Sequence, residues 1–260
     1  KELLKQYPEA GSWEENDEVS NYYALTSVWP AEKAIDEAHS QGAFIFWNHS
    51  WWTPQSPQGI SILTDFHKKL ISENKLHGIE IVNGVNYSDE AFQIAIDNNL
   101  TIIGTSDVHN LIDWDYSFYK GKHRPVTLVL SKDKTEKSIK DALFKGRTVV
   151  WFKNKLIGLK DNLVPLLKSS LSFKSLGYET GTFILKVEIE NKSDSKMMLK
   201  NISKYTFSQN TDSFHVDAHS KKIIEIKTIV KLKEMNLTFK IQNAYIEPSK
   251  NPKVSFFVKI

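Results

Sequence analysis

Three apolar runs in this chain end in, or carry, side chains able to hold a metal ion or move a proton. Residues 43–49 (AFIFWNH) close on Asn48 and His49. Residues 78–84 (GIEIVNG) carry Glu80 and reach Asn83, and residues 101–109 (TIIGTSDVH) close on Ser106, Asp107, Val108 and His109. Imidazole nitrogen with carboxylate oxygen suits zinc, manganese or iron, and added carboxylates move the preference toward manganese or magnesium. In an extended D-x-H the two side chains point the same way, so Asp107 and His109 could share one ion. Glu80 stands mid-run, where a carboxylate is expensive to bury unless it is paired. It reads as a residue that orients a ligand, or as the partner of a buried cation. Singly, each motif also fits an ordinary hydrogen-bonded rim residue.

Around these lie further candidates. Trp51 and Trp52 follow His49 and either wall a pocket or cover the sheet. The loop at 119–126 offers Lys120, Lys122, His123 and Arg124, and an Arg matches phosphate oxygens in a two-pronged contact. His39, His67, His77, His215 and His219 read as surface or packing residues.

Elements that place reactive groups at strand ends are those of parallel α/β folds. The pattern up to about residue 160 agrees. A helix is expected over 31–41, between Pro30 and Gly42. Others are expected over 60–74, over 88–99 with Ser88 as N-cap, and over 135–146, with strands at 125–130 and 147–152 between the last elements. Strand–helix alternation of this kind implies a parallel sheet with helical crossovers, either open or closed into a barrel. From about 161 the pattern changes. After a helical stretch at 161–171 come period-2 segments at 171–179, 182–191, 204–208, 220–230, 237–246 and 252–260, which read as an all-β sandwich.

Composition divides at the same point. All seven Trp lie at or before Trp151, and residues 161–260 carry 16 Lys and Arg against 10 Asp and Glu. The expected domains are therefore 1–160 and 161–260. The net charge of +3 is too weak to argue for nucleic acid. The absence of cysteine excludes a disulfide framework, a zinc finger and a thiol nucleophile. No apolar run approaches the roughly 18 residues of a membrane span.

GAFIFWNHSWW, HGIEIVNG and LTIIGTSDVH, in that order, resemble the later motifs of the polymerase and histidinol phosphatase (PHP) family. There a strand ending in a metal-binding His precedes a "GIEV-N" strand and a "GSD-H" strand. The arrangement is most like the bacterial two-domain PHP-like phosphoesterases. The resemblance implies a partial (β/α)7 barrel followed by a sandwich-like domain, with up to three divalent metals at the barrel's carboxyl face. It implies His49, Asp107 and His109 as ligands, with Asp107 and His109 closest to the chemistry and Glu80 behind them. Trp51, His123 and Arg124 are candidate contacts for a phosphorylated small molecule. Two departures stand out: Ser50 replaces the usual Pro after the His, and no H-x-H pair occurs in the 260 residues.

With no initiator Met at Lys1, the chain is expected to be the downstream part of a longer enzyme, exported if a signal peptide precedes it. Metal-activated water attacking a phosphate ester is the expected reaction. A catalytically inactive surface-binding protein and a metal-dependent amidohydrolase are the alternatives. Oligomeric state is left open.

Overall fold

The computed structural model describes Lys5, residues 29–116 and residues 123–260; Lys120 and Lys122 lie outside them. The order is helix α1 (Ala31–Ser40), strand β1 (Phe46–Trp47), α2 (Asp65–Ser72), β2 (Gly78–Asn83), β3 (Asn86–Tyr87), α3 (Asp89–Asp97) and β4 (Thr101–Thr105). There follow the short α4 (Ile112–Asp115), β5 (Val126–Val129), α5 (Glu136–Phe144), β6 (Thr148–Phe152) and β7 (Lys155–Ile157). Helix α6 (Lys160–Ser170) starts where the second domain was expected to begin.

The expected parallel sheet forms around β2, which pairs in parallel with β1 on one side and β4 on the other. Beyond β4 the pairing departs from the alternating pattern. β5 and β6 are antiparallel, with α5 inserted between them, and β7 turns back on β6. Lys153 and Asn154 both take positive φ (45° and 60°), the condition for a tight two-residue hairpin turn. The two sheets meet through side chains. Thr127 Oγ1 accepts the Gly104 N–H and donates to the Gly104 carbonyl, each at 2.9 Å, and Thr148 Oγ1 donates to the Ile102 carbonyl at 2.8 Å. Among the described residues the strands of this unit, with one added from the C-terminal region, form two four-stranded sheets.

The helix expected over 60–74 is confined to Asp65–Ser72. Its missing first turn is held elsewhere, since Ser61 is buried and bonded to Ser50 while Ile60 and Ile62 face solvent.

The C-terminal unit is a sandwich of two antiparallel sheets. One runs β11 (Thr206–Phe207), β13 (Ser220–Lys227), β9 (Ile184–Asn191) and β8 (Leu171–Tyr178). The other runs β12 (Ser213–Val216), β10 (Met197–Asn201), β14 (Glu234–Ile241) and β16 (Lys253–Lys259). The strand expected over 237–246 is split. After β14 the chain breaks at Asn243, and β15 (Ala244–Tyr245) leaves the sandwich to pair in parallel with β7.

The β6–β7 hairpin serves both cores. Val149 and Leu156 belong to the sandwich cluster, whereas Val150, Phe152 and Ile157 belong to the α/β cluster. Burial on both faces explains why TVVWF reads as an unbroken apolar run.

His67 and His77 are packing residues. His67 stacks on Trp47 at 3.7 Å, and His77 Nδ1 accepts the Ile45 N–H at 3.0 Å. Burial holds both imidazoles below the ordinary histidine range. A lowered folded-state pKa means that the native state binds fewer protons than the unfolded chain, so its contribution is present above the unfolded value and lost on acidification. Stability in urea titrations should therefore fall as pH drops from about 7 to about 5, and His67→Gln should flatten that slope. Gly104 gives a second test. A Cβ there would lie 2.5 Å from Val150 Cγ1, so Gly104→Ala should destabilise by about 1–3 kcal/mol, and adding Val150→Ala should recover part of the loss.

Candidate functional site

The site is assembled around Glu80, only 1% exposed at the centre of β2. Its Oε2 accepts the His49 backbone N–H at 2.7 Å and lies 3.3 Å from His49 Nδ1. Its Oε1 accepts the Thr105 hydroxyl and the Asn83 amide, the latter at 3.2 Å. A carboxylate with this many donors is paid for locally, which answers the question its mid-strand position raised. Glu80 and Asn83 are three apart and in a regular strand would face opposite sides. A bulge between Glu80 and Val82 in the pairing with β4 resets the alternation and brings both to one face. The Asn83 amide also lies 3.1 Å from His49 Nδ1.

His49 leaves β1 in a left-handed conformation, φ 53°. Ser50 is buried behind it and bonded to Ser61 at 2.7 Å. Ser61 lies 3.3 Å from Ser88, which caps α3 by accepting the Ala91 N–H. Ser50 thus anchors the loop through its hydroxyl.

At the end of β4 the expected extended D-x-H is corrected. The strand stops at Thr105, and Asp107 adopts φ 51°. The chain bends and still brings the pair together: His109 Nε2 lies 3.5 Å from Asp107 Oδ1, and His49 Nε2 lies 3.7 Å from the same oxygen. Tyr116 steadies this turn by donating to the Ser106 carbonyl at 3.1 Å. Burial, with Asp115 and Asp107 nearby, pushes the Tyr116 phenol up, which keeps it a donor.

His49, Asp107 and His109 line one open pocket of about 660 Å³ with Trp51, Trp52 and Tyr87. Trp52 stands edge-on to His49 at 6.1 Å. His123 and Arg124 are not brought there. His123 stacks on Trp151 at 3.8 Å and lines a separate cleft against the second domain, and Arg124 is exposed. His215 and His219 pair with Asp217 and Asp194 at the sandwich surface.

The donor set fits a divalent cation in type. With Nδ1 turned to Glu80, His49 presents Nε2 toward Asp107, the carboxylate–histidine arrangement that fixes the tautomer of a metal ligand. The three are not a finished shell. Among the described residues no group of three or more His, Asp or Glu is arranged to hold an ion, and the His109 side chain is 82% exposed.

The architecture is that of a two-part protein, a mixed α/β unit joined to a β-sandwich. Residues 171–257 match the model of an Ig-like domain family. Over the longer span the chain is similar to a crystallised two-domain protein of Bacteroides vulgatus containing a predicted PHP-like metal-dependent phosphoesterase. The TM-score is 0.79 at 31% identity, covering 88% of this chain and 66% of that one. The chain therefore spans just under two thirds of that protein's length. No curated protein matches it in sequence.

Thr105, which the motifs alone did not single out, joins Asn83 as a donor to Glu80. Removing the carboxylate they serve strands their donors, so Glu80→Ala should cost about 3 kcal/mol in urea unfolding. Glu80→Gln should cost less, because its carbonyl still accepts.

Proposed function

We propose that this chain contributes His49, Asp107 and His109 to the divalent-metal site of a PHP-like phosphoesterase that hydrolyses a phosphorylated small molecule. The observation that carries this is the convergence of both imidazole Nε2 atoms on Asp107 Oδ1 at the mouth of a pocket. Similarity to a protein with a predicted activity of that kind supports it. The fold this reading implies is the distorted barrel of that family, in which the parallel strands β1, β2 and β4 would form part of the wall.

A bound divalent ion would lower the pKa of its water toward neutrality and offset charge on the phosphoryl oxygens. The chain's own residues do the rest. Glu80 holds the His49 ring and its backbone N–H, which sets the direction of Nε2. Asp107, 39% exposed, is placed both to ligate and to accept a proton at Oδ1. Trp51 and Trp52 exclude water from one side of the substrate.

A binding protein without turnover is the second reading, favoured by the unfinished ligand group among the described residues. One assay separates the two. The protein as it occurs in the cell is incubated with manganese or zinc and bis(p-nitrophenyl) phosphate. The enzyme reading expects metal-dependent nitrophenol release that falls by about 100-fold or more in His109→Ala and Asp107→Asn. Absence of turnover, with metal content unchanged in both variants, would overturn it in favour of the binding protein.

A further inference from the structure

The two outer faces of the sandwich differ in one row of charges. On the β11-β13-β9-β8 sheet, charges opposed across strands alternate in sign. Glu190 faces Lys221, Lys186 faces Glu225 and Glu188 faces Lys174. Ion pairs result, among them Lys221 to Glu188 at 3.0 Å. On the β12-β10-β14-β16 sheet Glu234 still faces Lys259, but one row departs from this pairing. Lys200 sits directly across from Lys240, and Lys240 directly across from Lys253. The row is continued on the edge strand by the uncharged Ser213. None of the three lysines has an ion-pair partner among the described residues. Like charges placed directly opposite are destabilising, so this row works against the sheet that carries it unless an anion lies along it.

We propose that this face binds a linear acidic polysaccharide, with successive carboxylate or sulfate groups along Lys200, Lys240 and Lys253. Neighbouring strands are about 4.8 Å apart, so the three lysines stand on a line about 10 Å long rather than in a broad patch. A line suits a chain of charges. Polar groups run beside it: Thr238 and Ser255 lie opposite each other, with their hydroxyls 2.8 Å apart. Next to them a depression of about 480 Å³ is lined by Lys204, Tyr205, Glu234, Asn236, Thr238 and Phe257, its one carboxylate residue lying across from Lys259 on the facing strand. Phe257 is 57% exposed, an aromatic face set among hydroxyl and amide groups, which is the chemistry that holds a sugar ring. These cations lie on a strand face, not on the amphipathic or juxtamembrane helix that carries a bilayer-binding basic cluster. A single-stranded nucleic acid calls for a basic groove whose stacking rings follow the cations, whereas here the lysine row crosses the strands with Tyr205 and Phe257 to one side of it.

The test is retention of the intact protein on immobilised polygalacturonate and dextran sulfate, with neutral dextran, phosphatidylserine vesicles and oligo(dT) as comparators. Binding to the acidic polysaccharides is expected, lost at about 0.5 M salt where the screening length is only a few ångströms. The variant Lys200→Ser, Lys240→Thr, Lys253→Ser should bind about tenfold more weakly or worse. Its melting temperature should equal or exceed that of the wild type, which separates lost binding from lost folding. Lys186→Ser with Lys221→Ser, on the other sheet, should leave retention unchanged. Equal retention on neutral dextran, full retention of the triple variant, or stronger binding to the vesicles or oligo(dT) would each overturn the proposal.

Discussion

Everything at the pocket depends on one buried carboxylate. Glu80 accepts from the loop that ends β1, from its own strand beyond a bulge, and from the last residue of β4. Three strand ends that share no sequence neighbourhood are thereby held in register around one charge. In a low-dielectric interior such a network is rigid when complete and expensive when any member is lost. His49 takes its orientation from this network, and Asp107 and His109 are placed by the strand that ends in Thr105.

Support for that network comes from outside the α/β unit as well. Val149 and Val150 are adjacent and belong to different cores, so β6 is a wall common to both. The Asn154 carbonyl and the Lys196 carbonyl both accept from the Asn243 amide at 2.7 Å, and Leu156 donates its N–H to the Asn243 carbonyl at 2.9 Å. The hairpin turn and the break between β14 and β15 are thus bonded to each other across the domain boundary.

How much of this can be read from the amino-acid order depends on how local each feature is. The apolar runs at 43–49, 78–84 and 101–109 do contain strands, and their polar ends do meet, because burial pattern and strand polarity are local properties. The Glu80–Asn83 pairing is not readable, since strict alternation separates them and only a bulge, a property of two paired strands, unites them. The left-handed turns at His49 and Asp107 are also hidden: Asp and His enter that region more often than most side chains, but nothing in the local sequence marks these two. Strand β10 (MMLKN) escaped notice although its burial alternates perfectly, as Met and Lys carry little strand preference. Strand β15, two residues long, exists only because β7 offers it an edge.

That last pairing bears on how the molecule is made. The edge of β7 is covered by residues that leave the ribosome almost ninety positions later. During synthesis the α/β unit must therefore wait with one strand edge bare, the kind of template on which chains associate wrongly. The unit is completed only when the sandwich has nearly finished emerging, and the C-terminal domain thus acts as the final step in folding the domain that precedes it.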